Sequence, residues 1–430
     1  MSANSYLSRV TANEARSLFA GRGLCSFGDT KTRDLVAGII ADVRARGDDA
    51  VLEYTRQFDH IELTRETMRV RGEEFAAARE RVEQTPLGNA LRHACTRISE
   101  FHTKQREESW ITQAPGALLG QLVTPVEASG LYVPGGKAPY PSTVLMNAIP
   151  ARIAGVPRRV ICSPAGKISD AVLYAAELCE VREIWKIGGA QAIAALALGT
   201  ESIQPVAKIT GPGNRFVTEA KRQVYGLVSI DMLAGPSEIM IYADDASDPA
   251  IIARDLLSQA EHDEDAACIL ISESSALIDA VERCLAEYVP KEPRKDTIEK
   301  SLRENARAVH IASAGEAYEL INVYAPEHLE ILAARPLEEV LTAVRNASAI
   351  FYGKYSPEPL GDYIAGPNHT LPTMGSARFA SPLGVYDFIK RSSLISFDAK
   401  ECAKIAADAA LIARDEGFFA HEASVRARLP

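Results

Sequence analysis

The chain has 430 residues, 47% of them hydrophobic and 24% charged, with a formal net charge of −10. That length leaves room for two or more domains with large cores, and the acidic balance excludes general nucleic-acid binding, because nothing neutralises phosphates in bulk. The seven scattered cysteines form no C-x-x-C pair, the start MSANSYLSRV has no secretory apolar core, and no membrane-length apolar run occurs, so a cytoplasmic protein with free thiols is expected.

The first elements are helical. TRDLVAGIIADVRARGDDAVLEYTRQFD sets Leu35, Val36, Ile39, Ile40 and Val43 on one face; Gly47 interrupts, and Val51, Tyr54 and Phe58 resume the pattern. A second amphipathic helix runs from Ala90 to Ser109. Its His93 and His102 are out of phase for one helical face and read as polar positions on a solvated surface. His60 and His310 also read as structural.

From Leu122 the texture changes to strand–turn–helix units: SGLYVPGG, TVLMNAIPARIAGV, RRVICSP, DAVLYAAELCEV, EIWKIGG, AQAIAALALG, VAKITGPGN and FVTEAKRQVYG. Alternation of this length predicts mostly parallel sheets with helices on both faces, an α/β fold. Four crossovers end a strand with glycine before a helix: YVPGGK, KIGGAQ, ITGPGN and LAGPSE. Any one could be a tight turn. In succession, with Tyr132, Gln191, Asn214 and Ser237 beside them, they suit a nucleotide or polar small molecule at the carboxyl ends of strands. No G-x-G-x-x-G occurs, so an ordinary dinucleotide fingerprint is absent.

DPAIIARDLLSQAEH begins with Asp248 as N-cap and Pro249 at the first helical position. It ends with Gln259 and His262 three residues apart, able to converge on one object, with a solvated acidic stretch beyond them. ACILIS is a buried-type strand, and its Cys268 reads as packing. YAPEHLEI places Glu327 beside His328, expected at a loop-to-helix junction where both reach a shared cavity. After about residue 355 the alternation stops. LGDYIAGPNHTLPT offers Asp362 and His369 in a loop too long to be mere connection, and a helical tail from Ala399 carries Glu416 and His421 in EGFFAHEASVR. A Gln, His, Asp and His set suits Zn²⁺, although no local spacing links the four.

SQAEHDEDA, GLYVPGGKAPYPSTVLMNAIPARIAGV, IGGAQAIAALALGT, GPGNRFVTEAKR, IDMLAGPSE, APEHLE, GDYIAGPNHTLPT and EGFFAH, in this order, resemble the histidinol dehydrogenase family. The first hundred residues match only in helical character. The resemblance implies zinc- and NAD-dependent oxidation of L-histidinol to L-histidine through L-histidinal, the last step of histidine biosynthesis. It implies zinc held by Gln259, His262, Asp362 and His421, the last from the partner subunit of a homodimer whose tails exchange. It assigns Glu327 and His328 as the catalytic pair, with His328 the base for the alcohol and Glu327 activating water for the aldehyde. Tyr132, Gln191 and Asn214 match NAD contacts. Ser237 and Glu416 match substrate contacts, joined by the metal-site residues and His328, and His369 lies near the substrate. The implied architecture is two incomplete Rossmann-like parallel-sheet domains with a helical N-terminal arm (1–25) and a C-terminal helical tail (381–430). The zinc and catalytic motifs would lie in a discontinuous domain of 26–127 and 237–380, and NAD in 128–236. SPAGK is shorter than the family's usual loop, and Phe418–Phe419 depart from the usual context before AH. Rival readings are a sister dehydrogenase acting on another polar alcohol such as a sulfonated diol, a zinc hydrolase, and a nucleotide-sensing binding protein.

Overall fold

The structure, a computed structural model, describes residues 5–22, 30–135 and 139–429. Cys25, the boundary expected at 25/26, and Gly136 and Lys137 of YVPGGK lie outside the described residues. The chain opens with strand β1 (Ser8–Thr11) and helices α1 (Ala12–Ala20), α2 (Thr30–Arg46), α3 (Asp48–Asp59), α4 (Gly72–Val82) and α5 (Pro86–Thr103). A hairpin follows, β2 (Trp110–Ala114) and β3 (Ala117–Pro125). Then come β4 (Ala128–Tyr132), α6 (Pro141–Ile153), β5 (Arg158–Cys162), α7 (Asp170–Leu178), β6 (Glu183–Trp185), α8 (Gly189–Leu198), β7 (Lys208–Thr210), α9 (Arg215–Val224) and β8 (Ser229–Ile230). These strands form a parallel sheet in the order β6-β5-β4-β7-β8.

A second run of βα units comprises β9 (Glu238–Ala243), α10 (Pro249–Ala260), β10 (Ala267–Ser272), α11 (Ser275–Tyr288), α12 (Lys295–Asn305), β11 (Arg307–His310), α13 (Ala314–Tyr324), β12 (His328–Ile331), α14 (Leu337–Ala343) and β13 (Ala349–Tyr352). With β1 at its edge, it forms a parallel sheet ordered β1-β11-β10-β9-β12-β13. The chain ends with α15 (Glu358–Tyr363), β14 (Ile389–Phe397), α16 (Ala399–Asp415) and α17 (Phe419–Arg426). Strand β14 pairs antiparallel with β3, making a small third sheet with β2. Among the described residues no helix is long and apolar enough to cross a membrane.

Helices cover both faces of each parallel sheet, as the alternation predicts. Strands buried on both faces are apolar through their middles, as in ACILIS and EIMIYA, where only Ser272 and Glu238 at their ends are polar. Helix α8 is apolar all round and correspondingly enclosed. The expected domain boundaries are corrected by the packing. Val36, Ile39, Ile40 and Val43 of α2 share a core with Tyr132, Ile193 and Val217, while Phe75 of α4 and Ile98 of α5 share one with Leu131, Met146 and Ile161. The α2–α5 region therefore belongs with the sheet of 128–236, not with 237–380, because the α2 stripe finds its apolar partner on α8 and α9. Leu35, expected on that stripe, is exposed. The N-terminal arm is not purely helical, since β1 supplies a sheet edge. The tail segment likewise contains a strand, β14.

Candidate active site

Three of the four glycine crossovers lie at the carboxyl end of the five-stranded sheet. Tyr132 ends β4, Gln191 sits in the first turn of α8 after β6, and Asn214 caps α9 after β7. Tyr132 is buried, and its hydroxyl accepts the Gly189 N–H at 3.0 Å. Gly189 has φ +66°, and a Cβ there would lie 2.6 Å from Gln191 Oε1, so only glycine lets that amide lie against the turn. Gly211 (φ +114°) approaches from the other side, where a Cβ would meet the Tyr132 carbonyl oxygen at 2.1 Å. Gln191 is 1% exposed, and neither polar atom of its amide has a hydrogen-bond partner among the described residues. Asn214 Oδ1 accepts from the Phe216 and Val217 N–H groups, so its amide nitrogen is the atom left for a ligand.

The fourth crossover, LAGPSE, behaves differently. It joins the two sheets, and half-buried Ser237 precedes β9 at the amino end of the six-stranded sheet. Glu327 and His328 are at the same end, because His328 is the first residue of β12. The junction is therefore loop-to-strand, not the expected loop-to-helix, and both side chains are buried. The peptide of Glu238 holds the pair. Its N–H donates to Glu327 Oε2 at 2.8 Å, and its carbonyl oxygen lies 3.1 Å from His328 Nδ1. A carbonyl only accepts, so Nδ1 carries the ring proton and also reaches Gln259 Oε1 at 3.1 Å. Nε2 is then the lone-pair nitrogen, buried without a partner among the described residues, 3.8 Å from Glu358 Oε1 and 3.9 Å from Asp362 Oδ1.

Asp248 caps α10 and Pro249 opens it, as read from the sequence, and the helix ends at Ala260. His262 falls in the turn just beyond, yet it keeps the i, i+3 relation, its N–H bonding the Gln259 carbonyl at 3.2 Å. Its Nδ1 lies 2.9 Å from the Ser258 carbonyl, which turns Nε2 toward Asp362 Oδ2 at 3.8 Å. Asp362 and Glu358 lie one turn apart on α15. His262, Glu358 and Asp362 each place a ligand atom within 4.8 Å of the others. His369 Nδ1 lies 2.9 Å from the Asp362 carbonyl, and its Nε2 is 3.4 Å from Thr143 Oγ1 on α6, so the cluster sits where the two sheet units meet.

The electrostatics follow from burial. Desolvation lowers the His328 pKa to about 4 against the pull of Asp362, so the imidazole is neutral near pH 7. Burial raises the Glu327 carboxyl well above its ordinary range, with the Glu238 charge adding to it, and lifts Glu358 to about 10 with help from Asp362. Burial alone would raise Asp362 too, but His262, His369 and His328 hold it well below the usual carboxylate range. His262 is raised, because Asp362 outweighs its desolvation.

Not every expected residue joins this cluster. Glu416 and His421 are exposed on the tail, where α17 packs on α16 and α16 on β14. Within one chain they do not meet Asp362. His102, read as a solvated position, is fully buried: the loop carrying Asn368 folds over α5, placing Asn368 Nδ2 3.3 Å from its Nε2. His93 is exposed and His310 is held by the Glu273 carbonyl. Cys268 is enclosed, and burial pushes its thiol up, away from reactivity. Glu358 was missed. Its signal is an acid four residues before Asp362 at a Pro-flanked helix start, which puts both on one face.

The profile of the histidinol dehydrogenase family matches residues 26–429. A histidinol dehydrogenase of Pseudomonas aeruginosa is 48% identical over 415 residues, covering 94% of this chain and 92% of its own length. One from Bacillus subtilis is 48% identical over 405 residues, covering 93% and 94%. The crystal structure of histidinol dehydrogenase from Elizabethkingia anophelis superposes with a TM-score of 0.91 at 34% identity, covering 99% of this chain and 98% of that one. By sequence and by fold alike, the chain is a dehydrogenase belonging to the histidinol dehydrogenase family.

Proposed function

We propose that the chain oxidises L-histidinol to L-histidine through L-histidinal, with NAD as oxidant and one Zn²⁺ per subunit, as the last step of histidine biosynthesis in the cytoplasm. The balance is L-histidinol, two NAD⁺ and one water going to L-histidine, two NADH and three protons. The observation that carries this reading is the neutral His328, its lone-pair Nε2 buried beside a His–Asp–Glu cluster.

The residues fit both groups. Two imidazoles, a carboxylate and an amide oxygen are borderline donors that suit Zn²⁺. His262 Nε2 and Asp362 would hold it with the Gln259 amide oxygen, which has a second lone pair besides the one facing His328 Nδ1. His421 of the partner subunit would complete the set, with Glu416 from the same tail reaching the substrate. The exposed apolar side chains of the β2–β3–β14 sheet and tail, Trp110, Ile111, Ile395 and Leu411 among them, support a homodimer that covers this face. Tyr132, Gln191 and Asn214 would hold NAD, the orphaned Gln191 amide being the group that most needs a ligand. When bound, zinc supplies orientation of the substrate's imidazole and amine, and NAD supplies the hydride acceptor.

His328 takes the alcohol proton at Nε2 while Glu238 and Gln259 hold Nδ1–H, so the ring cannot turn. The aldehyde has no such proton to lose. Glu327, a raised-pKa carboxyl and hence a strong base once ionised, draws a proton from water as it adds to the carbonyl, and the resulting hydrate yields the second hydride. Ser237 and His369 line the substrate side. No reactive thiol is required. The sister reading, a dehydrogenase of another polar alcohol such as a sulfonated diol, keeps this machinery and differs only in substrate. Steady-state NADH formation with L-histidinol against such a diol, with and without a chelator, tests the proposal. Preference for the diol, or turnover indifferent to metal removal, would refute it.

A further inference from the structure

The proposed reaction gives the N-terminal arm no role, yet one of its side chains reaches the catalytic pair's support. Arg22, just past α1, pairs through Nη2 with the buried carboxylate of Glu238. Its Nη1 donates to the Tyr324 carbonyl at 2.8 Å, and its guanidinium lies 3.3 Å from the centre of the Tyr324 ring. The Tyr324 hydroxyl donates to the same Glu238 oxygen at 3.4 Å. Tyr324 ends α13, and three residues later the chain delivers Glu327 and His328. One guanidinium thus clamps both segments that converge on the pair: the start of β9 and the end of α13.

The Glu238 carboxylate acts on Glu327 only through its charge; the contacts to the pair are made by its peptide. That peptide donates to Glu327 and accepts from His328, and it follows the exposed Gly235–Pro236 turn. We propose that Arg22 and Glu238 are positioning residues: the arm's cation fixes the Glu238 carboxylate, and with it the peptide that sets the Glu327 carboxylate and the His328 tautomer. A π-stacked arginine suits this, because its planar fork puts one nitrogen on the Glu238 carboxylate and the other on the Tyr324 carbonyl while lying over the ring, which a lysine cannot do. This inference rests on the reading of Glu327 and His328 as the catalytic pair.

The test uses the full-length, zinc-loaded protein with NAD and L-histidinol. Arg22→Met should lower kcat roughly 10- to 100-fold, the cost of misplacing a catalytic group by a fraction of an ångström to an ångström, with KM changed less than about twofold. Arg22→Lys should restore only part. Glu238→Gln should do the same damage, and the double variant should be no worse than either single one, since both act through one contact. If Arg22→Met does not fold, Glu238→Gln with Tyr324→Phe carries the same comparison. Bound zinc should be unchanged throughout. Wild-type kcat in a folded Arg22→Met protein that melts earlier would overturn the inference and leave the arm merely structural, as would single effects that multiply in the double variant. If the wild-type chain does not turn over histidinol, the proposed reaction fails separately. The positioning inference is then read from the imidazole ¹⁵N–¹H resonance of His328 Nδ1, which Arg22→Met should shift or broaden, and an unmoved signal would overturn it.

Discussion

Replacing Gln191 with methionine should make the protein more stable and its NAD affinity worse. Methionine keeps the length and approximate volume of glutamine but carries no amide. The Gln191 amide is buried at 1% exposure with neither polar atom partnered among the described residues. An unsatisfied buried polar group costs about 1–3 kcal/mol, so removing it should recover about 1–2 kcal/mol in the ligand-free protein. At roughly 2–4 °C per kcal/mol for chains of 150–250 residues, and less for longer ones, the melting temperature should rise by a few degrees. If the amide pairs with NAD, its loss costs about 1–3 kcal/mol of binding, a Kd increase of roughly 5- to 150-fold. Differential scanning fluorimetry without NAD, followed by isothermal titration with NAD, reads both quantities. A ligand-free variant that melts lower, with an unchanged Kd, would mean that Gln191 has a structural partner and that the carboxyl end of the five-stranded sheet is not the nucleotide site.

Glu327→Gln should keep the first oxidation within about tenfold and slow the second by roughly 10²- to 10⁴-fold, so that histidinal becomes trappable by a carbonyl reagent; equal losses in both half-reactions would refute the division of labour. His421→Asn and Gln259→Ala should each lack activity, yet an equal mixture after subunit exchange should recover roughly a quarter of it, because half the dimers then carry one intact site. No recovery would place His421 outside the shared site. Burial lowers the His102 pKa in the folded chain, so this ring contributes stability fully above its unfolded pKa near 6.5 and loses it as pH falls through that value toward the folded one. The stability gap between wild type and His102→Gln, measured by urea unfolding, should therefore narrow between pH 7 and pH 5.5.

The parallel sheets were legible because strands buried on both faces and the helices between them leave a strong pattern, as ACILIS and AQAIAALALG do. The local signals at Asp248–Pro249 and at the Gly-terminated strands of the first sheet were also readable, since capping and tight turns are decided within a few residues. What escaped was set by distant packing. The apolar stripe of α2 does not say which sheet it covers. His102 is polar on an isolated helix and buried only because a loop some 260 residues later lies over it. The LAGPSE crossover looked like its three neighbours, yet it bridges two sheets and so faces the opposite end of the second one. Arg22 matters through Glu238 and Tyr324, far along the chain, and no spacing rule reaches that far.

The small antiparallel sheet and the tail behind it carry Trp110, Ile111, Ile395, Ile412 and Phe419 more than half exposed. Side chains of that kind make a lone chain adhesive. In the proposed homodimer a freshly synthesised copy buries this face on a second copy, so on that reading expression yield should depend on how fast copies encounter one another. Charged substitutions on the face should leave each copy folded and soluble but without company.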